Sequence, residues 1–450
     1  MSAVVIRSRR VLQDGVLAPA TVVVEAGRIT AIRPAPPAPG AEEAGATDLG
    51  DDVLMAGLVD AHVHLNEPGR TEWEGFATAT RAAAVGGVTT LVDMPLNSDP
   101  VTTSEGALQA KVAACGSQLH VDVAFWGGVV PGNAPQLRPM ARAGARGFKC
   151  FLCHSGIDDF PKSTRADLLL AMPELRAAGV PLLVHAELED ELAAATQSGD
   201  PRAYSTYLHS RPKEMEDRAV AMIVELVRTT GCRAHIVHLS SATALPILRA
   251  ARAEGLPITA ETCPHYLCLT AEEVPDGATA WKCAPPIREG VNRDALWEAL
   301  RDGTISVVVT DHSPCTPGLK LPETGDFMGA WGGIASLQLG LRAVWTEAQR
   351  RGFGPAHLAR WMAAAPAALA GFGARGTLRV GARADLVRWR PEGSSVIRAE
   401  SLLHRHPITP WAGRQLAGSV EATWLGGELV AAGGQPVGPA RGRPLVPPLS

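Results

Sequence analysis

The sequence predicts an α/β protein built as a (β/α)8 barrel of the TIM type, with a small β-sandwich domain contributed by both chain termini. Three observations predict it: eight short apolar runs rich in β-branched residues, helical periodicity between most of them, and a strand-and-turn texture confined to the two ends of the chain.

The chain opens with Val and Ile alternating with polar residues, as in ATVVVEAGRITAI over 20–32, the period-two pattern of short antiparallel strands. A Pro, Ala and Gly-rich stretch at 34–45 then reads as a loop. The same alternation returns at 384–389 and 419–430, ahead of a Pro/Gly tail from Gly433. Chain termini commonly lie close together, so residues 1–52 and 375–450 are expected to form one small β domain and residues 53–374 the barrel. The eight runs cover 53–59, 88–94, 121–126, 145–151, 181–186, 234–239, 256–260 and 304–310. Segments rich in Ala, Leu, Arg and Glu, such as 73–85 and 216–227, separate them, which indicates parallel strands joined by crossover helices. An open doubly wound sheet is the competing arrangement. No Gly-rich phosphate fingerprint follows the first run, which weighs against its dinucleotide-binding form.

Bulk properties exclude several classes of partner. With 46% hydrophobic and 20% charged residues in 450, the chain can bury a large core. Its 42 basic and 46 acidic residues leave a net charge of −4 without a long single-sign run, which gives no footprint for nucleic acid or an anionic membrane. A small, roughly neutral ligand fits better. The apolar runs fall far below the ~20 residues a membrane helix needs, and Val4, Val5 and Ile6 give way at once to Arg7, Arg9 and Arg10, unlike a secretion signal. A cytoplasmic location is expected. The eight cysteines are dispersed, and Cys150 and Cys153 have no second CxxC partner, so all are read as free buried thiols.

Catalytic groups of such a barrel belong at the carboxyl ends of its strands. Asp60, His62 and His64 end the first run, Lys149 sits near the end of the fourth, His185 and His238 end the fifth and sixth, and Asp311 follows the eighth. His62 and His64, two apart in extended chain, face the same way and can chelate one ion, although an HxH pair alone is a weak motif. Single histidines at strand ends are commonly structural. Two of them at equivalent ends beside HxH point to ligands, because one ion gathers ligands only if several strands aim at it. His235 lies three residues before His238 and is read as structural. Lys149, in the buried sequence Gly-Phe-Lys-Cys-Phe, would have to desolvate an ammonium, so it is either paired or chemically changed. Asp311 can cap a helix, or bind an ion and act as a general base.

The order HxH, Lys, His, His, Asp on strands one, four, five, six and eight resembles the cyclic amidohydrolases, the family of dihydroorotases, hydantoinases and allantoinases. The resemblance spans nearly the whole chain and includes GLVDAHVHLNEPGR at 57–70, SRP at 210–212, ETCPHY at 261–266, KCAPPIR at 282–288 and TPW at 409–411. It implies two divalent metal ions: one held by His62, His64 and Asp311, the other by His185 and His238. It further implies that Lys149 is carboxylated to N6-carboxylysine and bridges both with a hydroxide, while Asp311 is catalytic and shuttles the proton. Zinc is the expected metal, with iron, cobalt or manganese also suited to these donors.

Within that family, Asn66 stands where dihydroorotases carry an arginine for the substrate carboxylate, which argues against a carboxylated ring. EPGRTEWEG at 67–75, FLCHSGIDDFP at 151–161, DHSPCTP at 311–317 and DFMGAWGGI at 326–334 resemble the allantoinase branch. Hydrolysis of allantoin to allantoate is therefore the implied reaction, with Asn97, His154, Cys283 (through its backbone) and Ser313 as substrate contacts. Ala284 departs from the serine frequent after that cysteine. Glu67, Arg70 and Trp73 read equally as scaffold or site. A hydantoinase or dihydropyrimidinase-like hydrolase is the alternative enzyme, and a metal-free scaffolding relative the alternative outside enzymes. The resemblance also suggests a homotetramer.

Overall fold

A computed structural model of the chain describes residues 3–34, 45–189 and 199–447. Most of the predicted loop at 34–45 lies outside the described residues. Eight parallel strands form the barrel. The first three are Leu58–Val63, Val88–Asp93 and a third that runs as Asp122–Phe125, breaks at Trp126 and resumes as Gly127–Gly128. Phe148–Phe151, Leu182–His185, Ala234–Ile236, Ile258–Thr262 and Val307–Val308 follow. A parallel bridge between Val63 and His312 closes the ring, and Asp60 fastens the seam by accepting from Thr310 Oγ1 at 2.5 Å.

The helices between strands show why the periodicity is legible. In Lys213–Thr230, residues Met215, Ala219, Val220, Ile223, Val224 and Val227 are buried, the i, i+4, i+8 stripe that packs a helix onto a barrel wall. Gly231 ends that helix in the left-handed region at φ +66°, where a side chain would be strained.

The terminal segments form one hydrogen-bonded sheet of nine strands. Val4–Gln13, Val16–Glu25 and Arg28–Pro34 from the front join Leu386–Val396, Gln415–Leu425 and Glu428–Ala432 from the back. Ile6, Val22, Val24, Ile29, Leu54, Leu386 and Trp424 give this sheet a core separate from the barrel's. Two details depart from the sequence reading. The first apolar run is divided: Val53–Ala56 pairs with the terminal sheet, opposite Leu386 to Trp389, and only after Gly57 does the barrel strand begin. A Cβ on Gly57 would lie 2.4 Å from the Thr89 side chain, so the chain changes sheets where that threonine leaves no room for a larger residue. The tail also returns to the barrel, since Val123 N donates to Arg443 O at 3.1 Å and Leu445 N to Val123 O at 2.7 Å.

Trp126 carries a stability prediction. It is fully buried at the break in the third strand, and its Nε1 donates to Ala61 O on the first strand at 2.8 Å. Trp126→Ala is expected to cost about 3–5 kcal/mol through the cavity and lost packing, read as a lowered urea midpoint. Trp126→Phe should recover the larger part and retain only the loss of the hydrogen bond, about 1 kcal/mol.

Candidate metal-binding active site

All six candidate metal ligands, His62, His64, Lys149, His185, His238 and Asp311, line one cavity of about 680 Å3. Each is nearly inaccessible to solvent, with Lys149 at 1% and Asp311 at 7%. Donor atoms of His62, His238 and Asp311 lie within 4.8 Å of one another. His62 Nε2 and His64 Nε2 stand 3.3 and 3.4 Å from Asp311 Oδ1, and His185 Nδ1 stands 3.0 Å from His238 Nε2. Two of these residues have unusual backbones, His238 at φ +37° and Asp311 at φ +44°. Non-glycine residues rarely adopt such angles, and here they occur just past the ends of the sixth and eighth strands, where the chain turns out of the sheet.

The donor set suits cations. Among the described residues, His62 Nε2 is buried and without a hydrogen-bond partner, a costly state for a polar nitrogen unless something else satisfies it. Burial, followed by the nearby Lys149 ammonium, holds the imidazoles of His62 and His238 well below their usual pKa, so they present lone pairs. Burial lowers Lys149 to about 8 against the opposing pull of Asp311 and Glu261. Among the described residues it makes no ion pair, and its Nζ lies 5.1 Å from the Phe151 ring centre. Burial would raise Asp311, but the hydrogen bond and charge of His64, with His265 and Lys149 nearby, together outweigh it and keep the carboxyl below its usual range.

Behind the ligands stand residues to which sequence reasoning gave no role. Glu261 accepts from His62 Nδ1 at 2.5 Å and pairs with His235 Nε2 at 2.9 Å. Glu187 pairs with His185 Nε2 at 2.7 Å and holds the Arg211 guanidinium through Nη2 at 2.6 Å and Nε at 3.0 Å. Each partner on one ring nitrogen fixes the tautomer at the other. His235, read as structural, spans Thr259 and Glu261 and does not line the cavity. Glu187 was findable, since it lies two residues after His185. Glu261 and Arg211 stand inside ETCPHY and SRP, yet nothing in their spacing shows what they touch.

The four residues considered for substrate contact also line the cavity. Ser313 Oγ donates to Asp311 Oδ1 at 2.9 Å, and Asn97 Nδ2 lies 3.4 Å from His64 Nδ1. Cys283 O accepts from Tyr207 Oη at 2.8 Å. His154 sits at the outer rim, its side chain 60% exposed and 3.4 Å from Asp158. Glu67, Arg70 and Trp73 fall outside the lining. Glu67 accepts from Phe76 N at the start of a helix, at 2.8 Å, while Arg70 covers the Trp73 ring, which meets Trp331 edge-on.

All eight cysteines are unpaired and buried. Burial pushes the thiols of Cys150 and Cys153 up to about 12, so almost none of either is thiolate at pH 8. Iodoacetamide at pH 8 is expected to leave both unmodified in the folded protein and to modify all eight after denaturation, as counted by mass spectrometry.

Histidines, a lysine and an aspartate gathered at the carboxyl ends of barrel strands define the class of metal-dependent barrel hydrolases. This chain belongs to the amidohydrolase family, whose model matches residues 53–430. Its relatives include an allantoinase of Streptomyces avermitilis, 52% identical over 434 residues and 96% of each chain. The allantoinase of Saccharomyces cerevisiae is 45% identical across 84% of this chain and 82% of its own. Among solved structures, the L-hydantoinase (dihydropyrimidinase) of Arthrobacter aurescens superposes with a TM-score of 0.92 at 29% identity, covering 99% of this chain and all of that one. No helix among the described residues is long and apolar enough to cross a membrane.

Proposed function

We propose that this chain hydrolyses the hydantoin ring of allantoin to allantoate, a step of purine degradation. The observation that carries the reading is the meeting of His62, His238 and Asp311 donor atoms within 4.8 Å, in a chain 52% identical to an allantoinase over 96% of its length. His62, His64 and Asp311 would hold one divalent cation and His185 and His238 a second. Lys149, as N6-carboxylysine, would serve both: its neutral amine adds to carbon dioxide, loses a proton and becomes a two-oxygen anion. The orphaned His62 Nε2, 3.3 Å from Asp311 Oδ1, supports this set, and its nitrogen and oxygen donors suit zinc first, with iron, cobalt or manganese as alternatives. When bound, the ions polarise the ring carbonyl and lower the pKa of a water towards neutrality.

Asp311, oriented by Ser313, accepts the proton of the attacking water and returns it to the ring nitrogen as the C–N bond breaks. Asn97, His154 and Ser313 side chains and the backbone at Cys283 would hold the ureido and imide groups. The Arg211 guanidinium faces the cavity but is engaged by Glu187, which leaves no free bidentate clamp for a carboxylated ring among the described residues lining the cavity and favours a neutral ring over dihydroorotate. The buried His62 Nε2, unpartnered among the described residues, also argues against a metal-free scaffold.

Likeness to the L-hydantoinase fold keeps hydantoin and dihydropyrimidine opening as the second reading. Turnover of allantoin, 5-substituted hydantoins, dihydrouracil and dihydroorotate, compared in one assay, tests it. Allantoin is expected to give the highest kcat/KM, and negligible allantoin turnover beside fast hydantoin opening would overturn the choice. A homotetramer in the cytoplasm completes the proposal, the latter in keeping with eight unpaired thiols.

A further inference from the structure

We propose that Glu261 is a positioning residue that couples the two halves of the metal centre, so that both ions depend on one buried carboxylate. The inference rests on the metal-site reading above. Glu261 belongs to the seventh strand, which supplies no ligand, and is fully buried. Its Oε1 accepts from His62 Nδ1 at 2.5 Å and from the backbone N of His238 at 3.2 Å. Its Oε2 faces His235 Nε2 at 2.9 Å, and His235 Nδ1 in turn lies 2.7 Å from Thr259 Oγ1.

Two consequences follow from this geometry. A carboxylate can only accept, so His62 must carry its proton on Nδ1, leaving the lone pair on Nε2 aimed at Asp311. The same oxygen ties down the amide of His238, a residue at φ +37° that would relax to a commoner conformation without a tether. His62 and His238 are assigned to different ions, so one side chain sets the tautomer at one ion and the backbone at the other. Glutamine is a weaker substitute: its one oxygen can still face His62 and His238, but without the negative charge each bond loses much of its strength, and its NH2 meets His235 where an oxygen stood.

The test is equilibrium zinc affinity of apoprotein, measured against a competing chelator, for the wild type, Glu261→Gln and Glu261→Asp. Melting of each apoprotein in excess chelator serves as the folding control. The wild type is expected to take up two ions, and Glu261→Gln to bind both about 10- to 100-fold more weakly with a near-unchanged apoprotein melting temperature. Glu261→Asp, which keeps the charge but falls short by one methylene, should lie between them and supplies the same comparison if the glutamine variant does not fold. Wild-type affinity in a folded variant, or weakening at one ion alone, would overturn the coupling. A wild type that binds no ion would overturn the metal site itself, a separate and distinguishable failure.

Discussion

Asp311→Asn is expected to lower kcat/KM for allantoin by about 10³- to 10⁴-fold, the worth of a positioned general acid–base, with the far-UV spectrum unchanged. Asparagine preserves the shape of the side chain and an oxygen near His62 and His64, now 3.3 and 3.4 Å from Oδ1. It loses the ability to take a proton and to hand it on. Ser313 would still have an acceptor, so the loop after the eighth strand should keep its conformation. Steady-state kinetics together with metal content per chain separate the proton role from the ligand role. Loss of activity with one or more ions retained assigns the larger effect to proton transfer. Activity within tenfold of the wild type would remove Asp311 from the mechanism.

Lys149→Ala is expected to reduce bound metal below two ions per chain and to lower kcat/KM by about 10³-fold. That corresponds to about 4 kcal/mol of transition-state charge stabilisation lost with one cation. Lys149 is 1% exposed with no ion pair among the described residues, a poor place for an ammonium and a good one for an amine turned carbamate. Removing it leaves room for a small carboxylate. Millimolar formate or acetate with added zinc should therefore restore part of the activity, whereas chloride should not. If the alanine variant keeps two ions and wild-type activity, Lys149 is only a core lysine.

How much of this was legible depends on what each feature demands of its side chains. Parallel barrel strands are buried on both faces and read as continuous apolar runs, so 88–94 and 181–186 declared themselves as Val88–Asp93 and Leu182–His185. Continuity is also what hid the division at Gly57: nothing in Val-Leu-Met-Ala-Gly-Leu-Val shows that its first four residues belong to another sheet. The return of Arg443 and Leu445 to Val123 runs through backbone groups and leaves no side-chain signature. At the site, polar residues at strand ends stand out against apolar runs, which made His62, His64, Lys149, His185, His238 and Asp311 visible as a set. Glu261 did not stand out in function, because its partners His62 and His235 come from two other strands. A bond across the barrel has no spacing to read.

Side chains from five strands are expected to meet around two cations, and anomalous diffraction from crystals of metal-loaded protein would locate both. Two peaks are expected at the barrel mouth, one among His62, His64 and Asp311 and one beside His185 and His238, with branched density beyond Lys149 Nζ reaching both. Peaks elsewhere, or none in a chain that turns over allantoin, would contradict the account.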